Sequence, residues 1–323
     1  MVGIMVGAAS ISPADVVRSV VSHIPGVDIE SGLSDREEAI LWRIRMPRVM
    51  LGVIVGSMLS TAGSAYQGVF RNPLADPYLL GAGAGAGLGA TIAIAYGPST
   101  STWIVDPLPL AAFVGAIVGV ALAYMLGYSI RSGRTAVTLI LAGVAVAAFL
   151  TAVQTFIQQR ESETLPEVYG WILGSLNTAG WSEVRLVLPY VVVSLGVVFG
   201  GRRLLDVLSV GDTEASALGV RPGRIRFVIV AFATLGTAAV VAVSGLIGFV
   251  GIIVPHTVRL LTSSSYRVIV PLSMILGGAF LVLADVVART AAAPAEIPIG
   301  VVTAMIGAPF FAIVLRTSKG VVS

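Results

Sequence analysis

Between Arg48 and Arg71 the chain carries no charged residue, and between Asp76 and Asp106 it carries none again. The two runs are joined by a short polar knot, Arg71-Asn72-Pro73-Leu74-Ala75-Asp76-Pro77. The backbone groups of such a knot would lack partners in hydrocarbon, so it must surface on one side of a membrane or line a cavity. Further charge-free runs cover 107–130, 135–159, 186–201, 227–258, 268–284 and 297–315. A bilayer crossing takes about 20 apolar residues. The run 227–258 is too long for one helix, and Gly245, Gly248, Gly251 and Pro255 fall in its second half. A break near Gly245–Gly248 divides it into two spans, the second short. The expectation is nine crossings between Met46 and Arg316. Residues 1–9 are apolar and end at a Ser-Pro turn, so they read as the outer end of a tenth helix that is partly missing here. A cleaved signal peptide fits less well, because the charged n-region is absent.

Composition supports an all-α membrane protein, read as a single domain over residues 1–323. Hydrophobic residues make up 56% and charged residues 11%, with mean hydropathy +0.95, where soluble domains are about a quarter charged. Cysteine is absent, which excludes disulfides and thiolate metal sites. His23 and His256 are the only imidazoles, and no metal-ligand set is expected. The basic residues do not form an aromatic-interleaved face, so nucleic acid is not an expected partner.

The arginines set the orientation. One set of loops holds twelve basic residues against four acids: Arg71, Arg131, Arg134, Arg202, Arg203, Arg221, Arg224, Arg226, Arg259, Arg267, Arg316 and Lys319 against Asp76, Asp206, Asp212 and Glu214. The opposite loops hold eight arginines against twelve acids. The basic face is expected to be cytoplasmic, with the C-terminus inside. On the outer face, residues 10–45 form the longest segment, with a helix start at Ser12-Pro13, an apolar stripe at Val16, Val17, Val20, Val21 and Ile24, and a Ser34/Glu37 capping box. These read as short helices on the membrane surface. A second outer segment, 158–185, carries Trp171 and Trp181, which read as interface anchors.

The chemistry-bearing candidates are few. There is no GxxxxGK[ST] phosphate loop, so the chain is not expected to hydrolyse a nucleotide by that motif. Gly81–Gly89 has glycine at every second position inside a span and reads as close helix packing. His256 reads as a hydrogen-bonded structural histidine or one lining a path. The inner segment 202–226 is the most polar loop on its face. Within it, Gly211-Asp212-Thr213-Glu214-Ala215-Ser216-Ala217-Leu218-Gly219 has the marks of a short helix, with Asp212 at its start, Glu214 at the positive end and Gly219 closing it. A capped helix in so short a loop reads as an element that docks into a cytoplasmic partner.

Taken together, these motifs resemble the permease subunit of binding-protein-dependent ABC importers for ferric siderophores, haem and cobalamin, the type II importers. The resemblance is carried by Arg45-Met46-Pro47-Arg48, by Gln67 with the knot Arg71–Pro77, by Leu80-Gly81, and by Trp171 with Gly174-Ser175-Leu176. It continues through Gly211–Gly219, Gly245-Leu246-Ile247-Gly248-Phe249-Val250-Gly251 and Pro255-His256 with Arg259. It ends with Ala284-Asp285 and Ala288-Arg289, Glu296-Ile297-Pro298-Ile299-Gly300, and Gly307-Ala308-Pro309-Phe310-Phe311. The cover is residues 10–317, and the departure is the short first helix.

The resemblance implies ten helices per subunit, a homodimer with its path along the dimer axis, two ATPase subunits that bind ATP and Mg, and a periplasmic or lipid-anchored binding protein. The membrane would be the bacterial inner membrane. Arg45, Arg48 and Arg289 match the arginines that receive the binding protein's carboxylates. Gly211, Asp212, Glu214, Ala215, Leu218 and Gly219 match the coupling helix that inserts into the ATPase. The helix near 137–157 is expected by the axis, with Thr138, Thr151, Gln154 and Thr155 as path residues. Asn72, Pro73, Asp76, Pro77, Pro255, His256, Asp285, Glu296, Pro298 and Gly300 are structural motif positions. Ferric siderophore ranks first as cargo, then cobalamin, then haem. An ion-gradient-driven secondary transporter is the alternative of another class, and for it Asp285 is the only acid within a span.

Overall fold

The computed structural model describes residues 2–5, 12–23, 31–97, 106–129, 136–177 and 179–317. No strand occurs among them. The α-helices in order are α1 (Val2–Met5), α2 (Pro13–Ser22), α3 (Asp35–Ile40), α4 (Met46–Phe70), α5 (Ala82–Tyr96), α6 (Pro107–Ser129), α7 (Ala136–Arg160), α8 (Leu165–Ile172), α9 (Trp181–Val210), α10 (Asp212–Ala217), α11 (Pro222–Ser244), α12 (Val250–Leu261), α13 (Tyr266–Thr290) and α14 (Ile299–Thr317). Among the described residues, six helical stretches are long and apolar enough to cross a membrane: the continuous Asp35–Phe70, α6, α7, α9, α11 and α13. The shorter apolar helices are α5, α12 and α14. The break expected near Gly245–Gly248 separates α11 from α12. Arg131, Arg134 and Lys319, which helped set the expected orientation, lie outside the described residues.

Two expected boundaries are corrected. The Ser34/Glu37 capping box is present, with Glu37 N–H donating to Ser34 Oγ at 3.4 Å and Ser34 N–H to Glu37 Oε2 at 3.0 Å. It does not start a separate surface helix, however. A π-helical turn at Leu41–Arg45 carries α3 straight into α4. Pro47 is tolerated there because it follows directly on that turn. The second correction concerns 202–226. Helix α9 runs on through Arg202 and Arg203 to Val210, and α11 already begins at Pro222. Arginine is a good helix former, and the Arg202 guanidinium folds back over the Phe199 ring at 3.9 Å. The loop proper is only 211–221.

Helix α4 lies at the centre and is buried along nearly its whole length. It packs against α9, α11, α12 and α13. Lipid tails are as apolar as leucine, so close backbone approach and interhelical hydrogen bonds decide this packing. Gly56 meets Gly277 of α13, and Gly63 meets Gly251 of α12, so closely that a Cβ at either would strike a carbonyl group. Ser60 donates to the Ser273 carbonyl at 2.6 Å, and Tyr66 and Thr234 share a 2.7 Å hydroxyl bond. The glycine run of α5 packs on α6 in the same manner, Gly85 against Gly115 and Gly89 against Ala111. Helices α7 and α9 are mostly outward-facing.

Three motifs far apart in sequence meet in one backbone joint. Ser175 N–H donates to the Ser244 carbonyl at 2.8 Å, Ile299 N–H to Gly174 at 3.2 Å and Gly300 N–H to Leu173 at 3.0 Å. Gly174 (φ 73°) and Gly245 (φ 67°) turn the chain there in a region closed to most side chains. The joint satisfies backbone groups freed where α11 ends and α14 begins, as irregular backbone among apolar helices requires.

Candidate functional site

The three arginines expected to dock a partner come together at one end of the bundle, and each is held by the chain itself. Arg48 donates to Glu296 through both ends of its fork, Nη1 to Oε1 at 3.0 Å and Nη2 to Oε2 at 2.8 Å. Its Nε and Nη2 also reach Asp285 Oδ1 at 3.0 and 2.9 Å. Arg289, one turn after Asp285 on α13, takes the other carboxylate oxygen at 3.0 Å. Arg45 donates to the Ile4 carbonyl and Arg289 to the Gly3 carbonyl, which ties the cluster to α1. Asp285 is buried, whereas the Glu296 side chain is 36% exposed. The cluster is therefore a mostly desolvated network with three guanidiniums, two carboxylates and one open edge at Glu296. Bidentate arginine–carboxylate geometry makes it firm.

Helix α4 leads from this cluster to the opposite end, about 35 Å away at 1.5 Å per residue. There the polar knot is half surface and half buried. Arg71 and Pro73 are exposed, while Ala75, Asp76 and Pro77 are buried. Asn72 Oδ1 accepts from Leu74 N–H at 2.9 Å, and Asp76 Oδ1 from Tyr78 N–H at 2.8 Å, so each polar side chain closes a turn of its own backbone. Burial pushes the Asp76 carboxyl up to about 6.

Arg71 reaches across to α10, where Asp212 Oδ1 accepts from Arg71 Nη2 at 2.6 Å and from Arg226 Nη2 at 3.1 Å. Asp212 was expected to cap α10, and here the structure differs. Gly211 (φ 150°) is the cap residue, and Asp212 turns its carboxylate to the two arginines. Glu214 lies in the first turn, and Gly219 (φ 77°) ends the segment as expected. Ala215 is buried beneath the helix, and Leu218 is 70% exposed on its outer side.

Between the two ends lies a cavity of about 470 Å³. Thr151, Gln154 and Thr155 of α7 line it, with Tyr78, Gln158 and Tyr169. Among the described residues, no charged side chain lines it. Thr138 does not take part: it sits about 20 Å back along the same helix. Thr155 Oγ1 also donates to the Thr151 carbonyl at 2.9 Å. Such a wall offers amide, hydroxyl and phenol groups to a large polar solute without gripping it. His256, inside α12 after Pro255, has its ring edge-on to Phe310 at 5.9 Å, and its Nδ1 has no hydrogen-bond partner among the described residues. No group of three or more His, Asp or Glu that could hold a metal occurs among the described residues.

Sequence reasoning missed Arg226 and Arg71 as partners of Asp212, and Tyr78, Gln158 and Tyr169 as cavity residues. Gln158 was within reach, because it stands one turn beyond Gln154 on the same helix face. A pairing across 141 residues, such as Arg71 with Asp212, leaves no mark in local spacing.

The chain matches the sequence profile of the FecCD transport family over residues 1–317. It is 41% identical over 289 residues to a cobalamin import system permease protein of Halobacterium salinarum, covering 89% of this chain and 76% of that one. It is 39% identical over 289 residues to a Fe(3+)-citrate import system permease protein of Bacillus subtilis, covering 88% and 83%. An iron(3+)-hydroxamate import system permease protein of the same bacterium is 36% identical, covering 87% and 72%. A solved metal-chelate type ABC transporter in an inward-facing conformation superposes with TM-score 0.78 at 29% identity, covering 94% of this chain and 96% of that one.

Proposed function

The chain belongs to the FecCD transport family, and we propose that it is the permease subunit that carries a ferric chelate inward along the axis of a homodimer. As a member of that family it is a multi-pass transport subunit of an ABC importer and not an enzyme. In our reading two partner ATPase subunits bind ATP and Mg and supply the drive, and a periplasmic or lipid-anchored binding protein delivers the cargo. Each subunit has ten membrane helices in the bacterial inner membrane, and the C-terminus is cytoplasmic. The arginine cluster is the outer docking end, and α10 is the coupling helix. Cobalamin is the second choice of cargo and haem the third.

One observation carries the reading: α4 joins an arginine network at one end to an ion-paired helix with an exposed leucine at the other. A single buried helix thus connects the two places where an importer must meet its partners. An ion-gradient carrier has no use for the second of them, and Asp285, the acid such a carrier needs, is held between two guanidiniums. The test is uptake into liposomes holding the permease with its ATPase, supplied with binding protein and radiolabelled ferric chelate. Accumulation that requires ATP and binding protein supports the reading. Accumulation driven by a proton gradient without ATP overturns it.

A further inference from the structure

A second cavity, about 440 Å³, opens between the end of α6 and the starts of α7 and α11. Tyr124, Tyr128, Gly223, Arg224, Arg226 and Phe227 line it, and among the described residues no carboxylate does. It belongs to neither the arginine cluster nor the uncharged cavity beside α7. Through Arg226 it lies at the same end of the bundle as the Arg71–Asp212 contact.

Arg226 is the telling residue. Its side chain is only 6% exposed. Nη2 reaches Asp212 at 3.1 Å, but that carboxylate is already shared with Arg71 at 2.6 Å. Nε is buried and has no hydrogen-bond partner among the described residues. A buried N–H left unsatisfied on a guanidinium that is otherwise ion-paired is a costly feature for a fold to keep. Arg224 adds a second guanidinium at the wall. Gly223 belongs to the first turn of α11, a helix of 23 residues whose positive end favours an anion, although the N–H groups of Arg224 and Ile225 already donate to the Arg221 carbonyl. Two cations, a helix N-terminus and two phenols, with no acid at the wall among the described residues, fit a phosphate ester.

The surroundings select its source. The helices that frame the cavity expose Met125, Val137, Leu141 and Phe227, each more than half uncovered. A soluble phosphate would use only the polar half of this site. A lipid would place its phosphate on the arginines and lay its chains along the apolar flank. Basic pockets between membrane helices on the cytoplasmic side are suited to such headgroups. We propose that this cavity binds the phosphodiester headgroup of an anionic phospholipid and so fastens the start of α11, next to α10, to the inner leaflet. The proposal rests on the orientation proposed above and not on which chelate is carried.

The intact transporter, permease with its ATPase, is purified in mild detergent and incubated with phosphatidylglycerol, with phosphatidylcholine, or with inorganic phosphate. Retained lipid is read by native mass spectrometry. The expected result is that phosphatidylglycerol adducts exceed phosphatidylcholine adducts about fivefold or more. Arg224→Gln, an exposed change that leaves the fold intact, and Arg226→Gln each bring the two lipids close to parity. Equal retention of both lipids by the wild type, or unchanged preference in both variants, overturns the proposal. Displacement of phosphatidylglycerol by millimolar inorganic phosphate assigns the site to a soluble ester and overturns it as well. Lipid bound by the permease alone but excluded once the ATPase is present shows that an acidic segment of the partner fills the cavity, which is the third overturning outcome.

Discussion

Arg71 Nη2 lies 2.6 Å from Asp212 Oδ1, and this contact joins the end of α4 to α10. Arg71 directly follows the last residue of α4 and adopts the left-handed conformation, φ 51°. That conformation is uncommon outside glycine, and it turns the chain off the helix. Arg226 of α11 reaches the same carboxylate from the other side at 3.1 Å. One side chain of α10 therefore holds two long helices, and a push on α10 is delivered to both.

Asp212→Asn removes both ion pairs and leaves the Arg226 guanidinium buried without a counter-charge. Asp212 is 45% and Arg71 38% exposed, so that pair contributes at most about 1 kcal/mol, whereas the buried Arg226 guanidinium loses its counter-charge at a cost of about 3 kcal/mol. The melting temperature is expected to fall by about 10 °C, while uptake per ATP hydrolysed falls by roughly tenfold, a loss of about 1.4 kcal/mol of coupling. Uptake and hydrolysis measured together in liposomes check this. An unchanged ratio would show that α10 acts on the helices by another contact.

Leu218 stands 70% exposed on the outer side of α10. An exposed leucine on a short polar loop contributes little to the fold, so Leu218→Arg is expected to shift stability by less than about 0.5 kcal/mol. A charge placed in an apolar contact with the ATPase is expected to weaken assembly about tenfold or more. Binding of purified ATPase to the permease in nanodiscs measures this, and wild-type affinity in the variant would remove α10 from the interface.

Asp76 is buried in the connection between α4 and α5, and burial raises its carboxyl from 3.8 to about 6. A raised carboxyl pKa means that the folded chain favours the protonated form. That stabilisation is present at low pH and is lost as pH rises through about 6. Asp76→Asn keeps an oxygen for the Tyr78 N–H, now accepted at 2.8 Å, and never ionises. The variant is expected to gain about 1–2 kcal/mol on the wild type between pH 5 and pH 7.5. Thermal unfolding in detergent at the two pH values tests it, and a gap that does not grow with pH refutes it.

The close approach of α5 and α6 rests on the absence of side chains at Gly85 and Gly115, each of which meets the other's carbonyl oxygen. Gly85→Leu must force the helices apart and is expected to abolish the monodisperse peak in detergent. Gly196, on the outward face of α9, has nothing near it. Gly196→Ala should therefore stabilise α9 by about 0.8–1 kcal/mol. Opposite signs from two glycine substitutions separate packing glycines from incidental ones, and the same sign would contradict the packing account.

These cases also mark what the sequence discloses. Gly81–Gly89 declares close packing because its small residues recur within one charge-free run. The break at Gly245–Gly248 is legible for the same reason: a charge-free run of 32 residues with glycines in its second half cannot remain one helix. The end of α9 was misplaced because charge marks where the hydrocarbon stops and not where the hydrogen-bond ladder stops. The role of Asp212 was misread because a helix-start aspartate ordinarily caps its own helix, and here a tertiary partner, Arg71, outbids the local one. Arg48 was grouped with Arg45 and Arg289, beside which it lies, but its two acids come from α13 and the turn after it, more than 230 residues away.

Arg48 is where structural and docking roles overlap, and the geometry separates them. Arg48→Met removes the partner of a buried carboxylate, for which the cost is roughly 3–5 kcal/mol. Arg289 still holds Asp285 at 3.0 Å, so the lower end of that range is expected. A charge-reversed Arg48→Glu is a poor test of docking, because it sets a third carboxylate beside Asp285 and Glu296 and disturbs the fold first. Glu296 offers the better test. Its side chain is 36% exposed, and it occupies both forward nitrogens of Arg48 at 3.0 and 2.8 Å, the atoms a partner's carboxylate would need. Glu296→Gln weakens that hold while Asp285 keeps Arg48 in place, so the fold should lose less than about 1 kcal/mol. If Arg48 receives the binding protein, the variant binds it about three- to tenfold more tightly, near 1 kcal/mol, because an internal competitor has been removed. Surface plasmon resonance with permease in nanodiscs measures the change. Unchanged affinity with intact melting behaviour would assign Arg48 to the structural network alone and leave docking to Arg45 and Arg289.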